Sequence, residues 1–385
     1  MTYNKSVLPT VMLARSLSNS SLSKRLGIEK EELDRELHAE EPRHGLLRDI
    51  AHELAVPVFT FYLEEAPDLD DRIPDFRSTA PRLSAKERQT LECIQRARTI
   101  QARAEQLQHH PKRELPSLLR SGSVKAQASA IRKWFGISLQ SQIEARDART
   151  FYNICRQRLE RAGIFVLQDS FPEGDGSGFC LSSKTAPVIV VNSKKQNRAR
   201  RLFTLIHELG HALLGETGIS DPFVSHNATE KFCNNFASEF LVPSDDIAQL
   251  LGNAPVPRNP DRDDIARIAR KLKISQQATA LRLERMGLTA SGSYSAWLAA
   301  VGGDNPDYVK DRGPPLGPPP QEKVKLAKYG FHFAEFFNDR LSAGSLNDFD
   351  IYRVSGLKPK YQRAYFDFVS GLSDADISTL ELGDE

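Results

Sequence analysis

Apolar residues recur at helical spacing along most of the chain, and two short apolar runs interrupt this pattern. Segments such as residues 85–108 and 145–162 show the three-to-four-residue period of helices. GIFVLQ (163–168) and APVIVVNS (186–193) are apolar runs of strand length, and they predict strands. FPEGDGSGFCL (171–181) lies between them and predicts a turn-rich crossing. We therefore predict an α+β fold that is predominantly helical and has a small β-sheet.

Residues 7–63 are broken into short apolar-periodic segments by turn signals such as Gly27 and Pro42, which predicts short helices. Within them, SLSKRLGIEKEEL (21–33) has the helix–glycine–helix cadence of a helix-turn-helix. Phosphate contacts supply most of the affinity for DNA, and an acidic recognition helix would be repelled. We therefore expect a protein-contact or structural role rather than DNA binding. The acidic residues of the second helix are Glu29, Glu31, Glu32, Asp34 and Glu36, against Lys30 and Arg35.

A second helix-turn-helix pattern occupies residues 261–288 and turns at Lys273-Ile274-Ser275. It is the better nucleic-acid candidate because it is basic, although basic faces are more commonly just solvated. DNA binding is left open by the two patterns, but it is not the role that we expect. The basic residues of this module are Arg267, Arg270, Lys271, Lys273, Arg282 and Arg285.

Changes in composition divide the chain into six segments. Asp75-Phe76-Arg77 is unusual for a linker, because an aromatic residue between charges tends to dock. Phe331, Phe333, Phe336 and Phe337 fall at helical spacing and are expected in a core or a docking face rather than a cofactor site. The segments are a helical module (1–63), a linker (64–82), the core (83–255), the basic helical module (256–300), a proline-rich linker (301–322) and a helical C-terminal unit with an acidic tail (323–385).

Composition narrows the class of protein. The 385 residues carry a net charge of +2, so no global charge attracts the chain to nucleic acid or membrane. No stretch approaches about 18 consecutive apolar residues, and the N-terminus lacks the apolar run of a signal peptide. The four cysteines are scattered without a CxxC pair, which is typical of reduced thiols. We predict a cytoplasmic protein with no membrane role, and the oligomeric state stays open.

The clearest chemical signal is the apolar helix predicted over Leu202–Leu214, LFTLIHELGHALL, which carries His207, Glu208 and His211. Residues four apart lie on one helix face, so both imidazoles could bind one Zn²⁺ and leave other coordination positions open. Glu208 lies one step round the helix, where it could act as a general base on water. The alternative is a helix with two ordinary histidines, but polar side chains in an apolar helix need partners, which a metal supplies better than packing does.

A second helix, predicted over Thr229–Val242 with Thr229 as N-cap, offers a third ligand. At about 100° per residue, Glu230 shares one face with Asn234, whereas Glu239 lies about 180° away from Glu230. Glu230 is therefore the predicted third ligand and completes a His₂Glu set. Asn234 is a candidate to support a ligand, although a contact with backbone is equally plausible. Rival third ligands are Glu216, Asp221 and His226, of which His226 is the best by chemistry.

Three further features are expected near the surface or the substrate. The strand at 186–193 comes just before the metal helix, and the edge of such a strand can pair with extended substrate backbone. His109 and His110 point different ways on a helix, so we expect them to be exposed rather than metal-ligating. Five basic residues precede the metal helix. We expect them either in a solvated loop and first helical turn or in a surface that attracts an acidic partner; they are Lys194, Lys195, Arg198, Arg200 and Arg201.

In these residues the chain resembles the ImmA/IrrE family of metallo-endopeptidases. The resemblance is most specific in FTLIHELGHALL (203–214) and EKFCNNFASEFLVP (230–243). Residues 7–63 and the Asp75-Phe76-Arg77 segment resemble the shortened XRE-like helix-turn-helix region of longer members. Residues 265–288 resemble the helical module that follows the peptidase core.

This resemblance implies a zincin-like metallopeptidase core flanked by helical helix-turn-helix-like modules. It implies Zn²⁺, or another divalent metal, held by His207, His211 and Glu230, with Glu208 as general base. Family members cleave XRE-type repressors in mobile elements or stress responses, so the implied substrate is an intracellular regulatory protein. The alternative is a non-proteolytic regulator that binds a repressor or DNA and has a structural or vestigial metal site. A structural site, however, has no need of Glu208.

Overall fold

The computed structural model describes residues 3–66, 87–111, 113–220, 227–252, 254–302 and 319–380. The predicted docking segment Asp75-Phe76-Arg77 lies outside these ranges, as do most of the proline-rich linker and the last residues of the acidic tail. The predicted domain boundaries stay predictions.

Short helices form a unit of their own at the N-terminus. Leu33, Leu47 and Phe61 are fully buried in a core that, among the described residues, contains none beyond position 66. The acidic side of the unit is internally paired, since Arg43 contacts Glu32 at 2.6 Å and Glu36 at 3.0 Å. The helices are α1 (Val7–Ala14), α2 (Asn19–Leu26), α3 (Lys30–His38) and α4 (His44–Glu53), followed by a 3-10 helix (Val58–Tyr62).

Most of the remaining chain is helical and surrounds one small sheet. The elements before and within the sheet are α5 (Arg88–Gln106), α6 (Val124–Trp134), α7 (Leu139–Glu144), α8 (Ala148–Arg161), β1 (Phe165–Asp169), β2 (Gly178–Leu181), β3 (Val188–Asn192), α9 (Arg198–Leu214) and β4 (Gly218–Ser220). The later elements are α10 (Ala228–Leu241), α11 (Ile247–Leu251), α12 (Arg262–Leu272), α13 (Gln276–Arg285), α14 (Ser293–Val301), α15 (Gln321–Ser342), α16 (Asp348–Ser355), α17 (Pro359–Ser370) and α18 (Asp374–Thr379).

The sheet has four strands in the order β1-β3-β2-β4. β1 runs parallel to β3, and β2 runs antiparallel to both β3 and β4. The crossing predicted over 171–181 therefore contains a strand, β2, whose four residues are all buried. β3 is also an interior strand, so the expectation that its edge receives substrate backbone is wrong: β1 and β2 already use both of its edges.

The two faces of the sheet support two different cores. Ile189 and Val191 of β3 join the core formed with α8, α9 and α10, whereas Val188 and Val190 join the core formed with α5 and α15–α17. This division follows from the alternation of side chains along a strand. Phe331, Phe333, Phe336 and Phe337 are all buried in the second core, which confirms their predicted place in a core. The prediction of a mainly helical α+β fold with a small sheet is confirmed.

A kink in α15 docks this helix on α8. Gly330 has φ 81° inside the helix, a left-handed conformation that glycine adopts without strain. The Glu160 carboxylate lies so close that a Cβ on Gly330 would be 2.0 Å from Oε1. Glu160 accepts a hydrogen bond from the Phe331 backbone N–H at 2.9 Å and pairs with Arg156 Nε at 2.9 Å. Buried polar groups thus fix the C-terminal helices against the sheet.

Candidate metal centre

The motif helix α9 begins four residues earlier than the sequence predicted. Asn197 is its N-cap and accepts a hydrogen bond from the Arg200 N–H at 2.9 Å. Arg198 and Arg201 are buried and donate to Gln168 Oε1 at 2.9 Å and to the Ser193 carbonyl at 2.7 Å, respectively. Arg200 is buried as well, so the predicted solvated first turn is wrong for these arginines. The arginines fix the start of α9 to the end of the sheet.

Three donor groups converge between α9 and α10. His207 Nε2 lies 3.1 Å from His211 Nε2, and these atoms lie 3.2 Å and 3.0 Å from the two oxygens of Glu230. All three side chains are fully buried. The two histidines and the glutamate predicted as ligands therefore lie together, although a loop separates their helices in the sequence.

The spacing of these atoms fits a single metal ion. Ligands about 2.0–2.1 Å from Zn²⁺ in a tetrahedron lie roughly 3.3 Å apart, close to the observed 3.0–3.2 Å. A buried carboxylate and two buried imidazoles without such an ion would be costly to desolvate. Imidazole nitrogen and carboxylate oxygen are also the donors that Zn²⁺ accepts in catalytic sites. The residues present thus fit the predicted His₂Glu set.

The start of α10 positions Glu230. Asn227, rather than the predicted Thr229, is the N-cap, and its side chain accepts a hydrogen bond from the Glu230 N–H at 2.8 Å. Close contact between the helices is possible because Gly210 of α9 faces Cys233, and a Cβ on Gly210 would lie 3.2 Å from Sγ. The carboxylate therefore reaches the histidines from the first turn of α10.

The charges of the cluster are coupled. Burial lowers the pKa of His207, but the Glu230 carboxylate outweighs this effect and raises the pKa above its ordinary value. Burial dominates at His211 and lowers its pKa. Burial would raise the pKa of Glu230, but the imidazole of His207 lowers it overall. The ionised Glu230 carboxylate and the readily deprotonated His211 are in the protonation states that a metal ion requires, whereas a bound metal would displace the proton that Glu230 favours on His207.

Glu208 is placed beside the donors and against the sheet. Its side chain is fully buried, and Oε1 accepts a hydrogen bond from the hydroxyl of Ser220 in β4. Gly178 of β2 makes the room, because a Cβ there would lie 2.9 Å from Glu208 Oε1 and 2.8 Å from the Val190 carbonyl oxygen. These two contacts could not be predicted from the sequence, since neither Gly178 nor Ser220 belongs to a recognisable motif.

Asn234 lies one turn beyond Glu230 and contacts a candidate ligand. Its Oδ1 is 2.9 Å from Nδ1 of His207, the geometry of an Nδ1–H donor to an amide oxygen. Such a bond fixes the tautomer that leaves Nε2 free to bind a metal. The buried carboxamide is thus placed to orient His207.

Two other sequence candidates, Glu216 and Glu239, lie outside the donor cluster. Glu216 pairs with Arg120 and is absent from the donor cluster, and Asp221 and His226 lie outside the described residues. Glu239 points away from the cluster as the helical wheel predicted, and it forms an ion pair with Arg282.

His109 departs from its prediction. It is 3% exposed, with Nδ1 at 2.6 Å from the Thr185 carbonyl oxygen and Nε2 at 2.8 Å from Nε2 of His332. His109 is buried because its ring packs against Phe165. The two residues are far apart in the sequence, so the local pattern at the end of a helix could not predict this contact. His110 is exposed as expected.

Comparison with known proteins agrees with this geometry. Residues 159–284 match the Peptidase_M78 family model, described as an IrrE N-terminal-like domain. The matched region contains the sheet, α9 and α10, and it confirms the resemblance to ImmA/IrrE metallopeptidases. No curated protein matches the chain in sequence. Among the described helices, none combines the length and apolarity that a membrane span requires.

Proposed function

The chain carries an IrrE N-terminal-like domain of the Peptidase_M78 family, and from that premise we propose that it is a zinc-dependent endopeptidase that cleaves an intracellular regulatory protein. The observation that carries the proposal is the convergence of His207, His211 and Glu230, with Glu208 buried beside them. Ligands alone would suit a structural site, whereas an adjacent carboxylate outside the ligand set supplies a base.

In this proposal, His207, His211 and Glu230 hold the ion, and Asn234 orients His207. A bound Zn²⁺ would polarise the scissile carbonyl and lower the pKa of water towards about 7. Glu208 takes the proton of the attacking water and delivers it to the leaving amine. The hydroxyl of Ser220 donates a hydrogen bond to Oε1 of Glu208, and we assign the proton transfer to the other carboxylate oxygen.

Strand β4 offers a place for extended substrate. In the described residues β4 pairs with β2 alone, through Gly218, Ile219 and Ser220, so its other edge has no strand partner among them, and all three residues are buried. Because Ser220 also contacts Glu208, a substrate strand added at this edge would run past the base.

An XRE-type transcriptional repressor is the substrate that we propose, and the cytoplasm is the proposed compartment. The family resemblance supports this substrate class. The N-terminal unit has its own core and an acidic, internally paired helix α3, which favours contact with a protein over contact with DNA. If the unit contacts the repressor, a variant lacking residues 1–66 will lose co-purification with it, and full retention would refute that role.

One observation favours the alternative, a non-proteolytic regulator with a structural metal. The side chains of His207, Glu208, His211 and Glu230 are all closed to solvent in this structure. Proteolysis therefore requires that the site open to admit a peptide.

The deciding experiment incubates the metal-loaded protein with a purified XRE-type helix-turn-helix repressor, the first choice being any such repressor encoded by a neighbouring gene. Glu208→Gln should keep the metal and the fold but lose cleavage by at least about 100-fold, because a general base contributes that much or more. Glu216→Gln is the matched control, since Glu216 pairs with Arg120 outside the cluster. Undiminished cleavage by Glu208→Gln would refute the mechanism. Repressor binding without cleavage by the wild type would support the alternative.

A further inference from the structure

A cavity of about 540 Å³ lies where the starts of α8 and α9 meet the α12–α13 turn. This size is within the usual range for small-molecule sites. The cavity is separate from the metal centre, although both are built on α9. Ala199 lines it, and His207 lies eight residues further along the helix, roughly 12 Å at 1.5 Å per residue.

The charge of the cavity is strongly unbalanced. Arg146, Arg267, Arg270, Lys271 and Lys273 line it, and Asp147 is the only carboxylate among the described lining residues. Asp147 is already engaged, because it caps α8 through the Thr150 N–H at 2.8 Å and contacts Arg146 Nε at 3.2 Å. In the described part of the chain, no carboxylate forms an ion pair with Arg270, Lys271 or Lys273.

The basic residues of the second helix-turn-helix pattern divide into two groups. Arg282, on the helix that would read DNA, is buried and bound to Glu239 and to the Val242 carbonyl oxygen at 3.1 Å. Arg285 contacts Asn235 at 3.3 Å. Arg270, Lys271 and Lys273 line the cavity, whereas Arg267, which also lines it, already pairs with Asp264 at 2.8 Å through Nη2. The positive charge is therefore arranged for a small anion held in a concave site.

Backbone groups add to the positive electrostatic potential of the cavity. The N-termini of α8, α9 and α13 all open on the cavity, with Asp147, Asn197 and Ser275 as their caps. Helix N-termini carry partial positive charge and exposed N–H donors. In addition, the Nη1 atom of Arg267 is buried and has no hydrogen-bond partner among the described residues. A buried guanidinium nitrogen of this kind needs an acceptor.

Lys273 is an unusual residue for its position. It ends α12 with φ 59°, a left-handed conformation that glycine or asparagine adopts at lower cost. Its Nζ contacts the Arg146 carbonyl oxygen at 3.3 Å across the cavity mouth. A lysine held in a strained backbone conformation is consistent with a requirement for its charge.

We propose that this cavity binds a small molecule carrying one or two phosphate groups. The phosphates lie among Arg267, Arg270, Lys271 and Lys273, and the alanine and isoleucine side chains of the lining leave room for an organic part. The site does not depend on the peptidase proposal, because binding can be measured without any substrate protein.

Calorimetric titration of the full, metal-loaded chain with inorganic pyrophosphate and with adenosine diphosphate tests the site. We expect saturable one-to-one binding that weakens at least about tenfold in Arg270→Gln/Lys271→Gln, since each bond to a charged group contributes that much. Arg258→Gln/Arg262→Gln is the control with the same charge loss, because neither residue lines the cavity. Lys273→Asn should weaken binding without lowering the unfolding temperature. Tighter binding of the nucleotide than of pyrophosphate would place the organic part in the cavity.

Three results would overturn the proposal. The first is the absence of saturable binding by both probes. The second is equal weakening in the lining pair and the control pair, which would indicate general charge attraction. The third is tighter binding of a short DNA duplex than of either probe, with equal loss in both pairs, which would assign the basic module to nucleic acid.

Discussion

Two buried carboxylates, Glu230 of α10 and Glu160 of α8, have different surroundings. Glu160 pairs with Arg156 and accepts the Phe331 N–H, so its partners are donors with fixed protons. Glu230 faces Nε2 atoms of two histidines, which can act as acceptors as well as donors. The difference separates a carboxylate that fixes a helix from one that is prepared to bind a cation.

The pKa values of the two carboxyl groups differ in the same sense. Burial raises the pKa of Glu160 to about 7, even beside Arg156. The imidazole of His207 keeps the pKa of Glu230 below its usual value despite the burial. A metal ligand must be ionised at neutral pH, whereas a structural carboxyl can keep a proton and still accept hydrogen bonds.

Loss of the Glu230 carboxylate should give the largest effect. Glu230→Gln removes one of three proposed ligands, so zinc affinity should fall by more than about 100-fold, beyond the loss typical of outer partners. Competition with a chromophoric chelator measures this affinity. Glu160→Gln is the contrasting variant and should leave zinc affinity within about twofold of the wild type. Equal metal binding by Glu230→Gln and the wild type would remove Glu230 from the ligand set.

Gly330→Ala should give the next largest effect, on stability alone. The added Cβ would lie 2.0 Å from Glu160 Oε1, and φ is 81° at this residue. Overpacking together with a left-handed backbone should cost about 2–4 kcal/mol of unfolding free energy. Urea unfolding measures it, and Gly344→Ala is the control for positive φ without a clash, because no atom lies within 4 Å of its Cβ. An equal loss of unfolding free energy in both variants would show that the clash with Glu160 does not contribute to the destabilisation.

The raised pKa of Glu160 predicts that the unfolding free energy changes with pH by up to about 3 kcal/mol, since a shift of one pKa unit corresponds to about 1.4 kcal/mol. The folded pKa, about 7, is raised above the ordinary value of 4.5. The stability from this group is therefore complete below about pH 4.5 and is lost as pH rises through 7. Unfolding free energies of wild type and Glu160→Gln at pH 5 and pH 8 measure it. The variant should gain stability relative to the wild type at the higher pH, and a constant difference would contradict the raised pKa.

Local features of the site could be predicted from the sequence. His207, Glu208 and His211 share one helix, so their spacing alone determines their relative placement. Glu230 required a second helix, and the helical wheel separated it from Glu239 because both lie on one regular element. β1 and β3 were predictable because continuous apolar runs of this length suit strands buried on both faces.

Non-local contacts account for what the sequence did not predict. β4 has three residues and β2 contains Gly178, so neither has a strand pattern. The pairing of β2 with β3 places β3 inside the sheet, and the pairing of β4 with β2 places β2 inside as well. Arg198 and Arg201 are buried through Gln168 and the Ser193 carbonyl, partners that no local pattern indicates. Long polar side chains are usually exposed, so their burial depends on acceptors that only the folded chain brings together.

Asn234 should give the smallest of these effects and tests how far the metal cluster depends on its surroundings. Asn234→Ala removes the acceptor of His207 Nδ1–H, so the imidazole can adopt the tautomer that does not present Nε2 as a ligand. Zinc affinity should fall by about 10–100-fold, less than for Glu230→Gln. Asn235→Ala is the control on the same helix, since Asn235 contacts Arg285 and not the cluster. Asn234→Asp should restore affinity, because a carboxylate accepts the same hydrogen bond. Failure of this rescue would mean that Asn234 acts through packing and not through the imidazole.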